Sequence, residues 1–148
     1  MKLLGLYKLI IGTMSDFVRQ FQDNVTLYNQ ARNFWGKLEA SSIIIVGVFI
    51  ALGLVMAYTY YKPFNEKPGR HYKPKYWWIF CGVTFVLAFG VTLMSVYFMV
   101  PPKVDGAFVL ELKLAFANAI YSSLVYVLIS WIWCQFNLPT NAYRYLKF

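Results

Sequence analysis

Three uncharged runs decide which solvent this chain can fold in. The first, Ser41–Tyr61, reads SSIIIVGVFIALGLVMAYTYY. The second, Trp77–Val100, reads WWIFCGVTFVLAFGVTLMSVYFMV, and the third, Leu114–Phe136, reads LAFANAIYSSLVYVLISWIWCQF. None contains Asp, Glu, Lys or Arg. At helical rise these runs span about 31–36 Å, against a hydrocarbon core of about 30 Å. In lipid the backbone has to satisfy its own hydrogen bonds, so runs rich in β-branched residues and glycine also fold as helices. The expected fold class is an all-α integral membrane protein. Its three transmembrane helices, 41–61, 77–100 and 114–136, follow a long N-terminal amphipathic helix over residues 1–40. A short basic and aromatic tail, 137–148, closes the chain.

Composition excludes a soluble alternative. Hydrophobic residues make up 59% of the 148 positions and charged residues 14%, with a mean hydropathy of +0.50. So few polar residues leave the surface of a small water-soluble globule uncovered. The net charge of +8 is therefore concentrated in the segments that leave the membrane. Cys81 and Cys134 lie within apolar runs, with no second sulfur or histidine at ligand spacing, and read as small buried residues.

Before the first run, Leu3, Tyr7, Ile10, Met14, Phe17, Phe21, Asn24, Tyr28, Ala31, Trp35 and Leu38 recur at 4-3 spacing. That pattern predicts an amphipathic helix, or two helices broken near Gly12-Thr13. Its stripe suits the membrane surface, the chain's own helices, or a partner subunit docked through Phe17, Phe21, Asn24, Tyr28 and Trp35. Asn24, the polar interruption, is then a candidate for fixing register. The apolar stretch Leu3–Ile11 is short and no small-residue cleavage site follows it, so no cleaved secretory signal is expected.

With three crossings, the Lys62–Tyr76 connector and the tail share one side. They carry seven cations (Lys62, Lys67, Arg70, Lys73, Lys75, Arg144 and Lys147) against Glu66. The opposite side carries seven cations against five acids. Charges near helix ends carry the orientation rule, which places the Lys-Pro connector and C-terminus on the cytoplasmic or matrix side. Tyr58, Tyr60, Tyr61, Tyr76, Trp77, Trp78, Trp131 and Trp133 gather at helix ends on that same side, as interfacial anchors do. Lys62, Lys67, Arg70, Lys73 and Lys75 with the four tryptophans are the candidate residues for anionic phospholipid headgroups. A nucleic-acid role is not expected, because the loop is short and its aromatics sit at helix ends.

The search for chemistry yields little. His71 is the single histidine, in a basic loop, and no HExxH, CxxC, GxSxG or phosphate-cradling glycine loop occurs. Glu111 and Lys113 read as the wet end of a third helix that begins near Phe108. Without an intramembrane ionisable group or histidine, the chain by itself suits neither proton-coupled transport nor haem ligation. No catalytic residue, metal or cofactor is assigned, and no enzyme activity is expected. The helices do offer small-residue packing faces: Gly47, Ala51, Gly53 and Ala57 on the first, and Ala115, Asn118, Ala119 and Ser122 on the third.

These features point to a non-catalytic structural or assembly subunit of a larger membrane complex. Lys, Asn, Ile, Phe and Tyr supply 52 of 148 residues, a bias that AT-rich coding produces. By analogy, small proteins of this kind are accessory subunits of respiratory or ATP-synthase assemblies in the mitochondrial inner membrane. A bacterial inner-membrane component of a secretion or envelope machine is the alternative. A homo-oligomeric channel lined by Thr84, Thr92, Ser95, Asn118, Ser122 and Ser130 is another.

Overall fold

The computed structural model describes residues 3–68, 73–100, 104–136 and 146. The Pro68-Gly69 turn extends past them, and Arg70, His71, the Pro101-Pro102 stop and all of the tail except Leu146 lie outside them. Six α-helices occur among the described residues: α1 Lys8–Ile11, α2 Met14–Arg19, α3 Val25–Ala40, α4 Ser42–Thr59, α5 Lys75–Met99 and α6 Ala107–Phe136. A 3-10 turn, Leu3–Tyr7, leads into α1. Three helical stretches are long and apolar enough to cross a membrane, by length and composition: Ser42–Phe64, Lys75–Met99 and Ala107–Phe136.

The arm is a series of short helices, where the sequence spacing predicts one or two. Gly12, at φ +78°, ends α1 in a conformation that favours glycine. Thr13 then caps α2. Its hydroxyl accepts from the Asp16 N–H, and the Asp16 carboxylate accepts from the Thr13 N–H at 3.1 Å, a reciprocal capping box. A second break follows α2. Asn24 is exposed in extended conformation, and its Oδ1 accepts from the N–H groups of Thr26 and Leu27. The side chain read from the sequence as a polar step in the stripe is the N-cap of α3.

The cap carries a pH prediction. The Thr13 hydroxyl and N–H, with Lys8 and Arg19 nearby, hold the Asp16 carboxyl below its usual range. A depressed folded-state pKa stabilises the fold at pH above the unfolded value, and that stabilisation is lost as pH falls through the folded one. Acidification below about pH 4 should fray α2, read as lost amide protection at residues 13–16. Asp16→Asn should flatten that dependence.

Two compact units make up the chain, and each long helix contributes to both. The first comprises Met1–Val48 with Phe89–Asn118. Here α3 buries Ala31, Phe34, Trp35 and Leu38, the i, i+3, i+4, i+7 face of one helix. Phe17 of α2 meets the rings of Phe34 and Trp35, each at a centroid distance of 5.9 Å. Leu4, Tyr7, Ile11 and Val18 complete the buried side of the arm. From α6, Leu110, Glu111, Leu114, Ala115 and Asn118 are buried. At the start of α6 the two charged residues part ways. Glu111 is fully buried, while Lys113 is exposed.

The second unit comprises Phe49–Ala88 with Ala119–Phe148. Its core is aromatic: Tyr60, Tyr61, Trp77 and Tyr126 are buried with Ala57 and Cys134. The first span does not end at Tyr61 before the connector prolines, as the sequence reading has it. It continues through Pro63 as a π turn over Tyr60–Phe64. In α-helical register, proline has no N–H to donate and its ring clashes with the carbonyl four residues back. The wider turn moves the bonding by one residue, and the Asn65 N–H donates to the Tyr60 carbonyl at 2.9 Å.

Candidate functional site

In the first unit, Asn118 gathers the arm and all three long helices at one side chain. Tyr7 Oη donates to Asn118 Oδ1 at 2.6 Å. Asn118 Nδ2 donates to the Ile45 carbonyl of α4 at 3.1 Å and to Thr92 Oγ1 of α5 at 2.6 Å. Tyr7, Thr92 and Asn118 have no solvent exposure, and Ile45 is 1% exposed. An amide has two N–H donors and a carbonyl acceptor, and here all three functions are used. The arrangement holds elements far apart in sequence in one register.

In the second unit, Trp77 Nε1 donates to Ser130 Oγ at 3.1 Å, and Tyr126 Oη donates to the Trp77 carbonyl at 3.3 Å. Tyr61 stacks on Trp133 at 5.2 Å, and Lys62 Nζ lies 6.0 Å from that indole's centroid. A close approach of α4 to α6 completes this unit. A Cβ on Gly53 would lie 2.6 Å from Val125 Cγ1 and 2.9 Å from the Ser122 carbonyl oxygen.

The sequence candidates for the headgroup layer separate by burial. Trp78 and Trp131 are exposed, Trp133 is half-buried, and Trp77 is 4% exposed inside the aromatic core. Lys62, Lys67, Lys73 and Lys75 are exposed. Lys62 pairs with Glu66 at 3.6 Å, and Lys75 lies 5.5 Å from the Tyr76 ring. Arg70 is outside the described residues.

Among the docking candidates, Phe17 and Trp35 are buried within their own unit. Phe21 and Tyr28 are half-buried and Asn24 is exposed. Phe34, fully buried, was missed. It sits one residue off the 4-3 row, and Ala31, three residues before it, and Leu38, four after, were the available signal.

Among the small residues, Ala57, Ala115, Ala119 and Ser122 are fully buried and Gly53 is enclosed, as is Asn118. Gly47 and Ala51 are exposed, and a Cβ on Gly47 would meet nothing within 4 Å.

The three apolar helices define an integral membrane protein, and the residues at its polar centres hold helices together. No protein family, curated protein or solved structure matches the chain.

Proposed function

We propose that the chain is a non-catalytic structural or assembly subunit of a larger membrane protein complex. The observation that carries this reading is the contrast between two small-residue positions on α4. Gly53 is consumed by contact with α6, whereas Gly47 and Ala51, four residues apart, face outward with open space at Gly47. A helix face of this kind lets a neighbouring transmembrane helix approach closely. The most apolar windows of the first two spans are each only 22% buried within the chain, so ample helix surface remains for neighbours and lipid.

The channel alternative draws less support. Of the candidate pore lining, Thr84, Thr92, Asn118, Ser122 and Ser130 are fully buried within a single chain and Ser95 is half-buried. The favoured setting is an accessory subunit of a respiratory or ATP-synthase assembly in the mitochondrial inner membrane, supported by the codon-like composition bias and by analogy. A bacterial inner-membrane secretion or envelope machine is the second setting. The exposed Lys62, Lys67, Lys73 and Lys75 suit anionic headgroups on the matrix or cytoplasmic side.

Mild-detergent extraction from native membranes tests the reading. The chain should co-migrate with other membrane subunits, and Gly47→Leu should reduce that recovery about tenfold while leaving the chain folded. Recovery solely as an isolated monomer, or robust solute flux from the purified chain in liposomes, would overturn it.

A further inference from the structure

Where the arm meets the start of α6, the first unit contains a cleft of about 540 Å3. Leu9, Ile10 and Val109 supply apolar wall, while Asp16, Gln20 and Lys113 supply polar groups. The apolar wall is open to the surroundings: Leu9 is 99% exposed and Val109 is 54% exposed. Two glycines at positive φ, Gly12 and Gly106, turn the chain at its edges.

We infer that this cleft binds the headgroup of an ethanolamine phospholipid, with its ammonium on Asp16 and its phosphate on Lys113. Depth supports a lipid occupant. α6 is 30 residues long, about 45 Å, and so exceeds the hydrocarbon core by roughly 15 Å. Lys113 immediately precedes the uncharged run from Leu114, which places the cleft at headgroup level. Exposed Leu6, Leu9 and Ile10 on the arm fit the adjoining acyl boundary.

Charge identifies the headgroup. Asp16 and Lys113 line one cleft without an ion pair, and Lys113 has no partner among the described residues. Both Thr13 contacts fall on Asp16 Oδ2, at 3.1 Å from the N–H and 2.5 Å from the hydroxyl. Among the described residues none donates a hydrogen bond to Oδ1. A carboxylate and an ammonium held apart complement a headgroup that carries both charges. A primary ammonium donates N–H bonds to a carboxylate, whereas a choline headgroup has none to give. A glycerol headgroup brings no cation of its own to the carboxylate.

The test uses the full chain in mild detergent, offered phosphatidylethanolamine, phosphatidylcholine and phosphatidylglycerol at equal concentration. Retained lipid is counted by native mass spectrometry. The ethanolamine lipid should be retained about tenfold over the other two, the effect of one charge-assisted hydrogen bond. Asp16→Asn should bring it down to the choline level, since an amide oxygen can still accept from Thr13 but carries no charge. Lys113→Gln, at an exposed position, should lower ethanolamine and choline lipid together. Equal retention of the ethanolamine and choline lipids, retention led by the glycerol lipid, or an unchanged ratio in Asp16→Asn would overturn the proposal.

Discussion

Gly53→Ala should destabilise the folded chain by about 1–3 kcal/mol, the usual cost of overpacking a tight contact. The added methyl would meet Val125 Cγ1 at 2.6 Å and Cβ at 2.7 Å, and the Ser122 carbonyl oxygen at 2.9 Å. Rotation of the Val125 side chain moves Cγ1 but not Cβ, and Cβ and the carbonyl oxygen move only if α4 and α6 separate. Gly53→Leu should therefore cost more. Gly47→Ala is the matched control, because open space surrounds that position. Its effect should be neutral or stabilising by up to about 1 kcal/mol, the helix-propensity difference. Unfolding in a mixed-micelle denaturant series measures both variants. Equal effects at the two glycines would show that the close approach does not hold the helices.

The second large effect is expected at Asn118. Asn118→Ala removes three hydrogen bonds and withdraws a partner from the Tyr7 hydroxyl, the Ile45 carbonyl and the Thr92 hydroxyl in a buried site. Interhelical bonds in membranes average about 0.6 kcal/mol, and stranding a buried polar group costs about 1–3 kcal/mol. Together these give a loss of roughly 2–4 kcal/mol. Tyr7→Phe should cost about 1 kcal/mol, because the two Nδ2 bonds stay in place. It should loosen the arm selectively, seen as faster proteolysis between residues 12 and 24. If the two changes prove additive in a double-mutant cycle, the Tyr7–Asn118 contact carries no coupling energy.

The long helices were legible because their signal is one of length and absence of charge, which needs no partner to interpret. The break at Gly12-Thr13 was legible from the glycine. The break at Asn24 was hidden, because Phe21, Asn24 and Tyr28 continue the 4-3 spacing across it. Asparagine chemistry could have exposed it, since a side-chain acceptor two or three residues ahead of N–H groups favours a cap over a helix interior. The spacing Thr13-x-x-Asp16 was likewise a readable capping box.

Trp77 and Trp78 show a different limit. Neighbours at a helix end have the same composition signal, yet they point about 100° apart. One becomes core and the other faces outward, and only the position of α6 decides which. The burial of Glu111 was hidden for the same reason, because the burial of a carboxylate depends on what packs around it.

The bond between Tyr7 and Asn118 joins residues 111 positions apart, which sets an order of events during synthesis. At about 5–20 residues per second, the arm emerges roughly 5–20 s before its acceptor is made. Throughout that interval the ring and hydroxyl of Tyr7 lack the helix that carries Asn118. They must wait at the membrane surface or on a chaperone until the last span inserts. A chain cut short before Asn118 would keep its first two spans and lose the lock on its arm. Protease sensitivity of the arm therefore reports whether the third span has been inserted.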